Sequence, residues 1–145
     1  MSAPKRSALA IDHGERRCGF AVADPLRLAT TLLAAWREGG NAPTLFEHIG
    51  ALLAERDVGT FVIGLPYNMD GSEGSRARDV RAFAAQLEAR HPRIALVFVD
   101  ERLSTKAAED LMRDAQIPPR ERKQHKDSFA ALVLLRDWIA AGEPC

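Results

Sequence analysis

The chain has 145 residues, 46% of them apolar, and its 20 basic and 20 acidic residues give a formal net charge of +0. This length favours one domain, residues 1–145, with one substantial core. The balanced charge excludes the strongly basic composition of many nucleic-acid-binding proteins, so any such binding depends on a local patch. There is no disulfide framework, no apolar stretch near the roughly 20 residues that span a bilayer, and no signal-peptide pattern in residues 1–7, so we expect a cytoplasmic protein with no membrane partner.

The predicted elements follow the apolar runs and turn residues along the chain. Residues 8–12 and 16–24 are apolar runs separated by a turn through Gly14, and this short spacing predicts an antiparallel hairpin. Residues 60–65 form a continuous apolar run, which is typical of a strand buried on both faces. In chain order, the predicted elements are strands 8–12, 16–24 and 28–35, helix 44–56, strand 60–65, helix 75–90, strand 94–99, and helices 106–115 and 126–140.

Two segments between these elements are predicted to be loops. Residues 66–74 (PYNMDGSEG) are rich in turn formers and follow the fourth strand, whereas residues 116–125 (IPPRERKQHK) are basic and precede the last helix. The first helix is expected to be capped by Asn41 or Thr44, and the third by a hydroxyl of residues 104–105.

The order of elements, β-β-β-α-β-α-β-α-α, predicts an α/β protein with a mixed five-stranded sheet flanked by helices. The RNase H-like architecture has this order, with strands one, four and five parallel and adjacent. The C-terminal ends of strands one and five then lie at the same edge of the sheet, where ligands usually bind.

Acidic residues end two of these strands. Asp12 follows the first strand, and Asp100 and Glu101 follow the fifth. Two alternatives need no function: Asp12 is a suitable residue for a turn, and the pair at 100–101 is suited to a helix N-terminus or a surface ion pair. Carboxylates at adjacent parallel strand ends are also a common way to hold divalent metals for phosphodiester hydrolysis.

A third acid, Asp127, is predicted in the first turn of the last helix. It shares a helical stripe with Ala130, Ala131, Leu134 and Trp138, and that stripe is apolar. The alternative is a favourable charge near a helix N-terminus, worth roughly 0.3–1 kcal/mol. An unpaired buried carboxylate is costly, and a bound metal would remove that cost. Asp70, in the loop after the fourth strand, is a reserve ligand, as is Asp100.

Basic residues lie beside the predicted acidic centre. They fall into a pair after the first strand and a cluster before Asp127, and a solvated surface is the simplest explanation for them. Cations around an acidic centre also suit a nuclease, because they contact the phosphates that flank the scissile bond. The candidate nucleic-acid-binding residues are Arg16, Arg17, Asn68, Arg102, Arg120, Arg122, Lys123 and Lys126.

Four segments together resemble the YqgF/RuvX family, relatives of the RuvC Holliday-junction resolvases within the RNase H-like superfamily. They are AIDHGERRCGFAVAD (10–24), VIGLPYNMDGSEG (62–74), VDERLSTKAAE (99–109) and HKDSFAALVLL (125–135), and they span nearly the whole chain. The family's acidic positions correspond to Asp12, Glu101 and Asp127. Superfamily relatives often carry an acid at the end of the fourth strand, where this chain has Gly64-Leu65-Pro66.

The resemblance implies a hydrolase that uses one or two Mg²⁺ or Mn²⁺ ions, held by Asp12, Glu101 and Asp127, to cleave phosphodiester bonds. The expected role is maturation of the 5′ end of pre-16S rRNA, with ribosomal precursor particles as partners. The alternatives are a Holliday-junction resolvase acting on branched DNA, which would be a homodimer rather than a monomer, and a non-catalytic nucleic-acid-binding module.

Overall fold

The computed structural model describes residues 5–101 and 104–145, without the side chains of residues 104–106, 123 and 124. The predicted contact of Arg102, the side chain of Lys123 and the cap at residues 104–105 therefore lie outside the described part. The elements are strands β1 (Ser7–His13), β2 (Cys18–Ala23) and β3 (Thr30–Trp36), helix α1 (Thr44–Ala54), strand β4 (Val58–Leu65), helix α2 (Ser75–Arg90), strand β5 (Ala95–Asp100), and helices α3 (Ser104–Asp114) and α4 (Pro119–Ala140).

The five strands form one sheet in the order β3-β2-β1-β4-β5. Strands β1, β2 and β3 pair antiparallel in sequence, while β4 runs parallel to both β1 and β5. This arrangement confirms the predicted mixed sheet, the predicted hairpin and the adjacency of strands one, four and five. The C-terminal ends of β1, β4 and β5 consequently meet at one edge.

The two faces of the sheet carry side chains of different size, because successive residues of a strand point to opposite faces. Large side chains such as Leu9, Ile11 and Phe20 pack beneath α1 and α2. The opposite face carries small residues, including Ala8 and Ala10, and packs against α3 and α4. Small side chains allow a helix to lie close to the strands, and α4 accordingly contacts all five strands.

The predicted basic loop at 116–125 is largely helical. Helix α4 begins at Pro119, so it is seven residues longer at its N-terminus than the predicted helix at 126–140. Pro119 starts the helix, and proline is well suited to the first turn, where its missing N–H costs no hydrogen bond. Asp127 therefore lies two turns inside the helix, and the prediction that it occupies the first turn is wrong.

The predicted cap of the first helix is also wrong. Pro43 occupies the N-cap position of α1, and no side chain hydrogen-bonds to the helix end. The main-chain N–H groups of Leu45 and Phe46 instead donate to the carbonyls of Ala42 and Pro43, which tightens the first turn. Across residues 5–101 and 104–145, no helix has the length and apolar content that a membrane span requires.

Candidate active site

Asp12 lies on the face of the sheet that packs against α4. Residues 8, 10 and 12 of β1 share that face, and Ala8 and Ala10 are fully buried there. Asp12 is partly buried one residue before the strand ends. The small residues thus bring α4 over the strand, and the carboxylate of Asp12 lies where the covered face reaches the sheet edge.

Glu101 brings a second carboxylate to Asp12. Its main-chain N–H donates to the carbonyl of Leu65 (3.3 Å), which fixes the chain just beyond β5 beside the end of β4. The two side chains are hydrogen-bonded to each other. Asp100 is exposed, and its negative charge raises the pKa of Glu101 less than burial and Asp12 do. The structure therefore selects Glu101 over Asp100 as the partner of Asp12.

Gly64 makes room for this pair. A Cβ at Gly64 would overlap the Glu101 carboxylate oxygen Oε2, and it would lie 2.7 Å from a methyl group of Leu134 on α4. The space that a side chain at position 64 would occupy is therefore filled by the carboxylate of Glu101. Glycine at the end of β4 is a requirement of this packing.

The pKa values of both carboxylates are raised. Burial raises the pKa of Asp12, and the charge of Asp127 adds to the rise. Burial also raises the pKa of Glu101, followed by repulsion from Asp12 and the hydrogen bond between them. Two carboxylates in contact cannot both be charged at low cost, so without a cation the pair retains a proton.

Asp127 is positioned by Gly19 of β2. Gly19 is the direct partner of Asp12 across the β1–β2 pair. A Cβ at Gly19 would overlap the main-chain carbonyl of Asp127, so glycine lets the two backbones touch. The predicted stripe on α4 is confirmed as buried, since Ala130, Ala131, Leu134 and Trp138 are all at most 5% exposed.

The carboxylate of Asp127 forms an ion pair with Arg17 and does not join the hydrogen-bonded pair of Asp12 and Glu101. Its Oδ2 lies 3.4 Å from Nε of Arg17, and both side chains are partly exposed. In the described part of the chain, no three His, Cys, Asp or Glu side chains are grouped closely enough to hold a metal ion. The structure thus unites Asp12 and Glu101, with Asp127 as an electrostatic neighbour of Asp12.

Arg76 belongs to the site, although sequence reasoning missed it. It lies in the first turn of α2, where its Nη2 donates to the main-chain carbonyl of His13 (2.9 Å) and its Nη1 contacts Asp79 (3.1 Å). Its positive charge lowers the pKa of Asp12 more than that of Lys126 does, and it also lowers the pKa of Glu101. Helix α2 follows the loop after β4, so its first turn returns to the edge where the acids lie.

The structure places the candidate nucleic-acid-binding residues at different distances from the acid pair. Arg17 and Lys126 lie beside the acids, since Arg17 contacts Asp127 and Lys126 lowers the pKa of Asp12. Arg16 and Arg120 are exposed, and Arg122 donates from Nε to the carbonyl of Ile117 (3.1 Å).

The polar side chains of the loop at 66–74 form hydrogen bonds within the loop. Asn68 donates to the Ser72 hydroxyl (3.0 Å), and the Asp70 carboxylate accepts from both the N–H and the hydroxyl of Ser72. These hydrogen bonds hold the pKa of Asp70 below its ordinary value, the Ser72 hydroxyl having the largest effect. Asp70 is therefore occupied within its own loop, and the structure does not bring it to the acid pair.

The sheet order, the flanking helices and the acid pair at the edge define an RNase H-like fold of the resolvase type. A solved Fowlpox virus resolvase in complex with Holliday junction DNA has a TM-score of 0.62 at 8% identity, over 95% of this chain and 99% of that one. RuvC from T. thermophilus, solved with a Holliday junction substrate, has a TM-score of 0.56 at 11% identity, over 95% and 97%. At these identities the likeness concerns the fold.

The family follows from the sequence comparison. Residues 6–141 match RuvX, described as Holliday junction resolvase. A protein of Halalkalibacterium halodurans named "Putative pre-16S rRNA nuclease" is 39% identical over 90% of this chain and 94% of its own length. A protein of Anaeromyxobacter sp. with the same name is 42% identical over 90% and 94%. The chain belongs to the RuvX family, which confirms the resemblance and the RNase H-like fold.

Proposed function

We propose that the chain is a metal-dependent nuclease that hydrolyses phosphodiester bonds in the 5′-end processing of pre-16S rRNA. The observation that carries the proposal is the partly buried, hydrogen-bonded pair of Asp12 and Glu101 at the edge of the sheet. Folding alone does not require such a pair, because burying two carboxylates in contact is costly. The names of the related bacterial proteins support the rRNA substrate.

The residues present fit a divalent cation. Mg²⁺ and Mn²⁺ favour carboxylate oxygens, and both donors of the pair are of that type. A cation would replace the proton that the pair retains and would remove the repulsion between the two charges. The first ligands are therefore Asp12 and Glu101. Asp127 is a third ligand once Arg17 releases its carboxylate, and Asp100 remains in reserve.

The acidic and the basic side chains of the site have different roles in hydrolysis. Asp12 and Glu101 hold the cation, which when bound supplies Lewis acidity for the attacking water and for the leaving 3′ oxygen. Arg76 offsets the negative charge of the pair and ties the end of β1 to α2 through the carbonyl of His13. Arg17 exchanges Asp127 for a substrate phosphate, and Lys126 adds a second cation beside it.

Resolution of a Holliday junction is the second candidate function, because the matching family carries that description. A resolvase cuts two strands symmetrically, and a homodimer with two acid pairs would be required. The two candidates thus differ in substrate and in oligomeric state, while Asp12 and Glu101 have the same role in both.

A side-by-side cleavage assay separates these functions. The substrates are a labelled pre-16S 5′-leader RNA and a synthetic four-way DNA junction, each with Mg²⁺ or Mn²⁺, and the Asp12→Asn variant is compared with wild type. Metal-dependent RNA cleavage that the variant lacks supports rRNA processing. Paired symmetric nicks in the junction support the resolvase. Binding without cleavage of either substrate contradicts the nuclease proposal and favours a non-catalytic module.

A further inference from the structure

A groove of about 730 Å³ lies between α3 and α4 and is bordered by Arg17, which contacts Asp127. None of the three acids proposed for catalysis lines it. Its lining residues are Arg17, Glu109, Asp110, Met112, Arg113, Pro119, Arg122 and Lys126. We propose that this groove binds the phosphate backbone of the nucleic-acid strand on one side of the scissile bond. That the strand is a substrate rests on the proposed nuclease function.

The N-terminal turns of α4 place some of its basic residues in the groove and others outside it. Residues 119, 122 and 126 share one face of the helix, at spacings of three, four and seven, and all three line the groove. Arg120 is exposed and does not line the groove. A flexible basic loop would not make this selection. The helix therefore fixes Arg122 and Lys126 towards α3, which contributes Arg113 to the opposite wall.

The groove is continuous with the acidic centre. Arg17 lines the groove and contacts the Asp127 carboxylate at 3.4 Å. Lys126 lines it as well, and its charge acts on Asp12. A strand whose scissile phosphate lies at Asp12 and Glu101 would therefore meet Arg17 and Lys126 next and then enter the groove.

The groove carries more positive than negative side chains, which favours binding of a polyanion. Four cations line it against two acids, Glu109 and Asp110, and Asp110 is ion-paired with Arg113. A basic groove beside a nuclease centre is the usual way to follow a single strand, because the phosphates repeat along it whatever the base sequence. The acids weaken this attraction, so neutralising an acid and neutralising a cation should have opposite effects.

The test is binding in the absence of cleavage. A fluorescent single-stranded RNA of about 12 nucleotides is titrated with full-length protein in EDTA, and anisotropy gives the affinity at several salt concentrations. We expect Arg113→Gln and Lys126→Gln each to weaken binding about three- to tenfold at low salt and to reduce the salt slope by about one. Glu109→Gln should tighten binding, and Lys126→Arg should bind like wild type.

The matched control is Arg93→Gln. Arg93 is exposed between α2 and β5, at the start of β5 and thus away from the edge that carries the acids. Its loss should leave the affinity unchanged. A DNA strand of the same sequence forms a second arm, and equal effects of the variants on RNA and DNA identify the shared phosphates as the ligand. Thermal melting shows that each variant is folded.

The outcomes separate the groove from the nuclease proposal. If Arg113→Gln and Lys126→Gln bind RNA as tightly as Arg93→Gln does, the groove is not the strand's path, whatever the cleavage assay shows. If they bind weakly but the wild type cleaves neither substrate with Mg²⁺ or Mn²⁺, the groove stands and the nuclease function is wrong. An RNA affinity that is unchanged by Glu109→Gln and independent of salt concentration would also contradict the phosphate-backbone assignment.

Discussion

Gly19 and Asp127 meet backbone to backbone, with the main-chain carbonyl of Asp127 in the space that a Cβ at Gly19 would occupy. Gly19 is also the strand partner of Asp12. One residue without a side chain thus sets the separation between the helix that carries one acid and the strand that carries another. This backbone contact therefore sets the distance between Asp12 and Asp127.

We expect Gly19→Ala to push α4 away from β2 and to lower cleavage, although every acidic residue is retained. Overpacking of this kind costs typically about 1–3 kcal/mol of stability. Chemical denaturation measures that cost, and cleavage is measured well below the melting temperature so that unfolding does not mimic the effect. Full activity with unchanged stability would contradict the tight contact.

Gly50→Ala is the matched control for that substitution. Gly50 lies within α1, and a Cβ there meets nothing within 4 Å. In a helix interior, alanine is more favourable than glycine by roughly 0.5–1 kcal/mol. This variant should therefore be slightly more stable than wild type and equally active.

Gly64→Ala should act on Glu101 directly. The new methyl group would overlap the Glu101 carboxylate and press on Leu134, so the carboxylate must move away from Asp12. We expect a larger loss of cleavage than in Gly19→Ala, together with weaker Mn²⁺ binding by calorimetry. Mn²⁺ affinity equal to that of wild type would show that Glu101 is free to hold the metal from another position.

Without metal, stability should fall as the pH rises. The folded pKa values of Asp12 and Glu101 are raised from 3.8 and 4.5 to about 6 and about 9, with burial as the leading cause. The folded state therefore keeps protons that the unfolded chain has released, and the stability that they confer is lost as pH rises through those folded values. Melting curves in EDTA across this range measure the slope.

Two changes should flatten that slope. Glu101→Gln removes the charge that the folded state resists, so its Tm should depend less on pH than that of wild type. Saturating Mg²⁺ should raise the wild-type Tm more at high pH than at low pH, since the cation binds the ionised pair. A wild-type Tm independent of pH in EDTA would contradict the shared-proton description.

Arg76→Gln should slow cleavage and raise the pKa of the acid pair further, because the positive charge of Arg76 lowers the pKa of both Asp12 and Glu101. Arg76→Lys should recover part of the electrostatic effect but lose one contact, since lysine cannot reach both the His13 carbonyl and Asp79 as the guanidinium does. A pH–rate profile separates this role from simple structural support. Arg78→Gln is the control, because Arg78 is exposed on the same helix. Equal profiles for the two glutamine variants would exclude Arg76 from the site.

The strands were predictable because each is a short apolar run bounded by turn residues, and their order determined the sheet. The same reasoning correctly placed Asp12 and Glu101 at one edge, since parallel strands bring their C-terminal ends together. The start of α4 was missed because residues 120–126 are polar and carry no apolar stripe, and two prolines precede them.

Arg76 and the Arg17–Asp127 contact were not predictable from the same patterns. Arg76 depends on how close the start of α2 lies to the end of β1. The Arg17–Asp127 contact depends on how close α4 lies to β2, where Gly19 lets the two backbones touch. The sequence offered one usable signal for Arg76. It follows directly on a loop that leaves the end of β4, so its helix begins at the edge that carries the acids.

The most direct test of the central claim is the rate of Mn²⁺-dependent cleavage of the 5′-leader RNA by wild type, Asp12→Asn, Glu101→Gln and the control Glu88→Gln, an exposed acid of α2. If the acid pair holds the catalytic cation, both pair variants should be slower by at least about a hundredfold, because the cation supplies several kcal/mol of transition-state stabilisation. Glu88→Gln should match wild type. Wild-type rates in Asp12→Asn or Glu101→Gln, with the protein folded and the metal required, would contradict the account.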